Sequence, residues 1–226
     1  MKNHHTGNFD KHHSSRGADR SDSSGYSSQM KLGVIAFFGF LSIVGNISTS
    51  FLASALHAPI FLDTIFTVAI TFYAGLVPGL IVAVLHNPIR TFIRYVIYGT
   101  SLFYFGSLYA LCGMLIALST WIFSRNKKDF FFNRTVTVLY LLIIVFVSSF
   151  LSCFSASALD TFIRPLFNDS LRFFPIDVFS IPFQKLKFGM FLSYLLPRIP
   201  ITVLDRLICT FSGFGLYRLV ERRISC

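Results

Sequence analysis

Residues 61–87 read FLDTIFTVAITFYAGLVPGLIVAVLHN, and how this stretch divides decides the fold. It opens on one carboxylate, Asp63, is interrupted by Gly75, Pro78 and Gly79, and closes on His86 and Asn87 before Pro88. About twenty apolar residues in a row normally form one membrane helix. The Gly-Leu-Val-Pro-Gly centre argues instead for a tight turn between two spans, because proline lacks an amide proton and glycine permits left-handed backbone. After the turn, Gly79, Ala83 and Asn87 recur every four residues. That spacing sets a small, then polar, stripe on one helix face, where a second helix packs closely.

The rest of the chain agrees with a membrane setting. Its 226 residues are 54% hydrophobic and only 13% charged, against roughly 25% charged in a soluble domain. The apolar residues also come in blocks longer than a soluble core needs, so the chain is a polytopic membrane protein. Its formal net charge of +10 reflects cytoplasmic Lys and Arg, and no nucleic-acid partner is expected. Cys112, Cys153, Cys209 and Cys226 show no CxxC spacing and read as free thiols. With 28 Phe and nine Tyr, many aromatics must face lipid or headgroups, so no single ring marks a site.

Residues 1–29 are polar, rich in Ser and His, and lack the apolar core of a signal peptide. They read as a disordered cytoplasmic tail ahead of a membrane domain over 30–226, with Met30 placed as a natural alternative start. The pairs His4-His5 and His12-His13 have no ordered frame around them, and neither a metal nor a cofactor is expected. Span 1 covers about 32–56, with Gly33, Ala36 and Gly39 at intervals of three and Ser50 and Ser54 at four. Span 2 covers about 61–74. Span 3 covers about 79–98 and carries Arg90 and Arg94 on one face. Span 4 covers about 103–123, with Gly106, Ala110, Gly113 and Ala117 as a close-packing surface. It ends in a basic loop of Arg125, Lys127, Lys128 and Arg134. Span 5 covers about 136–158 and reaches Asp160. Residues 161–197 mix prolines, lysines and apolar residues and read as an interfacial segment, with a re-entrant piece as the alternative. Span 6 covers about 201–220 and holds Asp205-Arg206.

The fold class is therefore all-α: a bundle of six transmembrane helices with an interfacial segment before the last. The N-terminal stretch through Lys31, the 125–134 loop and the C-terminal residues from Arg218 hold twelve of the twenty Lys and Arg. Six spans put all three on one side, which is then the cytoplasmic side of the inner membrane; five spans do not. The same topology gathers Asp63, Asn87, Arg90, Arg94, Asp160, Asp205 and Arg206 in the outer half. Convergent polar groups in an apolar hollow are what a small polar ligand needs for orientation, and the alternative is an ion-pair lock between helices. The arginines suit a carboxylate or phosphate.

Leu62-Asp63, Gly75, Gly79, Ala83 and Asn87, together with Asp205-Arg206 early in the last span, resemble the substrate-binding S component of energy-coupling factor (ECF) vitamin transporters. The layout over most of 31–223 is similar too. Pro78 departs from the family pattern, which places proline at the position of Leu76. The resemblance implies a non-enzymatic capture subunit that binds a vitamin-like substrate under the 57–62 loop. It implies partners as well: a transmembrane coupling protein, met through the face carrying Gly33, Ala36 and Gly39, and separate ATP-binding subunits. The chain has no GxxxxGK[ST] phosphate loop of its own. The family's usual alanine pattern in span 1 is absent here, which leaves a sensory or structural module as a second reading. A lipid-modifying enzyme is a third, disfavoured because metal-assisted phosphate chemistry needs clustered acids and the ten Asp and Glu are scattered.

Overall fold

The computed structural model describes residues 20–56, 60–99, 103–167, 180–183, 185–186 and 189–224. Most of the described residues are helical, and none of them is in a strand. A hydrocarbon surround demands this, because a helix satisfies its backbone hydrogen bonds within one segment. The elements are α1 (Arg20–Ala55), α2 (Ile65–Ala74), α3 (Leu76–Tyr98), α4 (Phe103–Leu108), α5 (Ala110–Ser124), α6 (Lys127–Phe130), α7 (Arg134–Ala158) and α8 (Met190–Ile224). A π-helical turn, Leu159–Ile163, and a 3-10 turn, Arg164–Phe167, follow α7.

Among the described residues, five segments are long and apolar enough to cross a membrane: Leu32–Ala55, Leu76–Ile97, Gly106–Ser124, Arg134–Ile163 and Met190–Arg223. The expected second span is the exception. Helix α2 has 10 residues, or about 15 Å at 1.5 Å per residue, half of a hydrocarbon core about 30 Å thick.

The chain divides into two compact units, 1–36 and 37–226. Of the first, the described residues are the start of α1. Residues 20–29, expected as disordered tail, are helical, because extending an existing helix fixes one residue per added bond and needs no new nucleus. Residues 1–19 lie outside the described residues, as do His57–Pro59 of the expected loop over the pocket.

Three other boundaries differ from expectation. The turn after α2 is the single residue Gly75, at φ 90°, and its amide closes on the Thr71 carbonyl at 3.0 Å. Pro78 sits inside the first turn of α3, where its missing N–H is one the helix start leaves unbonded anyway. The expected fourth span is broken at Tyr109 between α4 and α5. The last helix begins at Met190 and runs through Pro197 and Pro200, so 190–197 are not interfacial linker. Membrane helices tolerate internal proline because neighbouring groups re-satisfy the freed carbonyls.

Helix α2 is the centre of the second unit and packs on α3, α5 and α8. Its Val68 and Phe72 are fully buried, and glycines set the approach of its neighbours. An added Cβ at Gly213 of α8 would lie 2.6 Å from the Ile65 carbonyl oxygen and 2.9 Å from Val68. One at Gly79 of α3 would collide with Thr71. Helix α1 joins this core through polar side chains. Asn46 donates to Thr67 at 2.8 Å and accepts from the Phe66 amide at 3.0 Å, and Thr49 donates to the Leu62 carbonyl at 2.6 Å.

The C-terminal end of α2 is closed by aromatic rings. Phe72, Phe130, Phe131, Phe214 and Tyr217 pack together with centroids 5.0–6.3 Å apart. Lys127 from the basic loop enters this cluster. Its ammonium lies 4.9 Å from the Tyr217 ring centre and donates to the Phe72 carbonyl at 2.9 Å. Burial lowers the pKa of this ammonium below its ordinary value, with Glu221 opposing the shift. The ring faces and the helix C-terminal carbonyl offset that desolvation.

Replacement of Gly213 by valine wedges α8 away from α2, and overpacking of this kind costs about 1–3 kcal/mol. The expected outcome is a lower thermal unfolding midpoint in detergent. Gly75→Ala meets no neighbouring atom and should cost only the backbone strain of a conformation confined almost to glycine, φ 90° with ψ −165°, about 1–3 kcal/mol.

Candidate functional site

At the opposite end of α2 lies a layer of buried charge. It starts from the irregular segment 60–64, whose backbone cannot satisfy itself. The amides of Phe61 and Leu62 both donate to Asp205 Oδ1 of α8, at 2.9 and 2.8 Å. Leu62 has φ 47°, an uncommon conformation for a side chain this large. It is held there from both sides, by Asp205 on its amide and by Thr49 on its carbonyl. Consecutive amides turned toward one acceptor form a small anion nest, and the chain fills it with its own carboxylate. Thr64, at the N-terminus of α2, makes no cap to its own helix; its hydroxyl accepts a hydrogen bond from Arg206 instead.

Asp63 follows, and two arginines meet it. Arg90 of α3 lies 3.0 Å from one oxygen and Arg206 of α8 lies 3.9 Å from the other. Arg90 also donates to Ser50 of α1 at 3.0 Å and to Asn87 at 3.3 Å. Arg206 pairs with its neighbour Asp205 at 3.0 Å. Asp63, Asn87, Arg90, Asp205 and Arg206 thus form one network joining α1, α3 and α8 to the segment ahead of α2. His86 is wholly buried, and among the described residues neither ring nitrogen has a hydrogen-bond partner.

Asp160 belongs to a second cluster. The π-helical turn after α7 carries it inward, where Arg198 of α8 meets one oxygen at 2.7 Å and the Tyr109 hydroxyl donates to the other at 2.6 Å. Tyr109 reaches it from the break between α4 and α5. Between the two clusters lies a cavity of about 80 Å³. Asp63, Asn87, Arg90 and Arg206 line one part of its wall, and Tyr109 and Arg198 another. Cys112, Ile116, Ser152 and Ala156 supply much of the remainder.

Of the seven residues expected to converge, Asp63, Asn87, Arg90 and Arg206 reach the cavity directly. Asp205 stands behind them, and Asp160 is fixed between Tyr109 and Arg198. Arg94 is not on the wall; it donates to Ser54 of α1 at 2.8 Å in an exposed position. Of the residues expected on a coupling face, Gly33 and Ala36 are exposed, whereas an added Cβ at Gly39 would meet Val82 of α3 at 4.0 Å. Tyr109, Arg198 and Thr64 were not anticipated. Drawing the last helix back to Met190 reveals Arg198: positions 198, 202, 205, 206 and 209 then fall on one face at intervals of three and four.

Cys112, Cys153 and Cys209 are free thiols, and no group of three or more His, Cys, Asp or Glu comes together among the described residues. The arrangement can hold a compact polar molecule against fixed charge in an otherwise apolar bundle. No protein-family model, curated protein or solved structure matches the chain.

Removing one member of a buried ion pair strands the other, at a cost of about 3–5 kcal/mol. Asp63→Ala strands Arg90 and leaves Arg206 with Asp205 as its remaining carboxylate, and it should yield protein that fails to accumulate or unfolds at much lower temperature. Arg94→Ala removes a bond to Ser54 in an exposed position and should cost less than Asp63→Ala. Equal midpoints for the two variants would contradict this hierarchy.

Proposed function

We propose that the chain is a membrane-embedded capture subunit for a small water-soluble molecule, of the kind that serves an ECF-type importer for a vitamin or related micronutrient. One observation carries the reading: three arginines and three aspartates, nearly all buried, surround a cavity inside an apolar helical protein. Ionisable side chains within a membrane bundle are costly, and their usual use is a ligand or ion site. A fold needing only a helix lock has no call for a cavity between two charged clusters. The motif over residues 62–87 and Asp205-Arg206 supports the family assignment.

In this reading the chain crosses the inner membrane six times. The segment from Phe61 through α2 makes the second crossing and the charged layer lies in its outer half. Both termini and the Lys127 end of the bundle are cytoplasmic, in keeping with the distribution of Lys and Arg. The chain carries out no chemistry; a transmembrane coupling protein and ATP-binding subunits supply the energy. The cavity is small beside the roughly 300–1,000 Å³ of drug-sized pockets. It therefore receives a compact molecule or the charged end of a larger one.

A second reading, a sensory or structural module without transport, draws on α1. Its exposed side chains include Leu32, Phe37 and Phe40, each about two-thirds accessible, rather than a run of small residues. Bulky substitutions at Gly33 and Ala36 separate the two readings, since they block assembly with a coupling protein only in an importer.

The test is mass spectrometry of small molecules released from the detergent-purified chain, beside Ala156→Leu, which grows a side chain into the cavity. A metabolite enriched with wild type and lost from a folded Ala156→Leu protein is the expected result. Identical extracts from both proteins, with no metabolite raising the wild-type unfolding temperature, would rule out capture.

A further inference from the structure

The pairing within the charged layer is lopsided, and the imbalance identifies what the cavity lacks. Asp63 meets Arg90 and Arg206 on its two oxygens. Asp160 meets Arg198 and Tyr109 on its two. Asp205 takes two backbone amides on one oxygen and lies 3.0 Å from Arg206 at the other. Every carboxylate oxygen of the layer therefore has a donor or cation beside it. The donors are not all used. Among the described residues, Arg198 Nη1 and Arg206 Nε are buried with no hydrogen-bond partner; Asp205 Oδ2 also accepts none, but it lies 3.0 Å from Arg206 and is not on the cavity wall. Both arginines line the cavity, and Arg198 is only 4% exposed.

Buried donors without partners are costly, and native proteins leave few of them. Arg198 is also unusually well fixed, with Asp160 on Nη2 at 2.7 Å and Tyr109 bonded to the same carboxylate. A guanidinium is planar and always charged. With one nitrogen anchored, it presents the other in a set direction, which suits recognition of a carboxylate or phosphate. A cationic ligand would find little to bind: the one carboxylate oxygen of the three that accepts no hydrogen bond, Asp205 Oδ2, lies off the cavity wall with Arg206 beside it.

We infer that Arg198 is the anion-recognising residue of the cavity. Its Nη1 donates to a carboxylate or phosphoryl oxygen of a compact ligand, while Asp160 and Tyr109 position the guanidinium. The inference rests on the reading of the cavity as a ligand site and adds the chemical class of the ligand to it.

The test uses the full-length chain purified in detergent, with succinate and inorganic phosphate as probes and neutral succinamide as control, followed by thermal unfolding and isothermal titration. Wild type should show saturable stabilisation by at least one oxyanion and none by succinamide. Arg198→Gln alone leaves Asp160 buried without its cation, so the informative variant is the double change Asp160→Asn, Arg198→Gln, which removes both charges. It should stay folded and bind the oxyanion at least tenfold more weakly. Asp160→Asn alone frees the whole guanidinium and should bind the oxyanion several-fold more tightly, the opposite of what a merely structural ion pair predicts. General salting effects of phosphate act on every variant alike.

A second arm adds short-chain phosphatidylglycerol to the micelles. Saturable, Arg198-dependent stabilisation by this lipid alone assigns the oxyanion to a headgroup, whereas a response to succinate or phosphate assigns it to a soluble ligand. Equal stabilisation by succinamide, an unchanged response in the double variant, or no response to any of the three oxyanions overturns the assignment. A metabolite that still co-purifies and is lost on Ala156→Leu would then show that the cavity binds a ligand by other means.

Discussion

The grip of Asp205 on the Phe61 and Leu62 amides is the interaction on which the site depends. It ties a backbone segment with no secondary structure of its own to the middle of the last helix, across more than 140 residues of chain. Without it the segment 60–64 would carry unsatisfied amides into an apolar interior, at a cost of several kcal/mol for each group. With it, Leu62 is held at positive φ, Asp63 is set between two arginines, and Thr64 meets Arg206. Helix α2 then starts at Ile65, and its ten residues reach from the charged layer to the rings around Lys127.

Two ends of one short helix are thereby treated differently. At its start, α1 and α8 supply the partners: Asn46 takes the Phe66 amide and Arg206 takes Thr64. At its finish, Lys127 and five aromatic rings close it. The glycines at 79 and 213 let α3 and α8 come close along its length. The segment just ahead of this central helix, through Phe61, Asp63 and Thr64, forms one side of the cavity. The other walls come from α3, α5, α7 and α8, so a ligand bound there touches most of the membrane bundle at once.

Much of this could be read from the residues alone, and each failure has its own physical cause. Composition points to the membrane setting, and the Gly75–Gly79 stretch points to a turn between α2 and α3, although Gly75 alone makes it, because only glycine is comfortable at φ 90°. Asp63, Asn87, Arg90 and Arg206 stood out because polar residues inside apolar runs are rare. Arg198 was hidden because Pro197 and Pro200 flank it and suggested a broken segment, although a packed membrane helix absorbs both. Tyr109 was hidden because a tyrosine among nine gives no signal until a helix break and a π-helical turn bring it to Asp160. Arg94 looked equivalent to Arg90 by spacing. A single turn of rise was enough to carry it past the cavity to Ser54.

The central claim is that the charged layer encloses a ligand rather than locking helices around solvent. An experimental density map of the chain, purified gently from its own membrane into lipid nanodiscs, tests it most directly. Continuous non-water density between Arg198 and Asn87, in contact with the Arg198 guanidinium, is the expected result. Well-separated ordered waters alone, hydrogen-bonded to Arg198 and Arg206 and unchanged when metabolite extract is added, would contradict it.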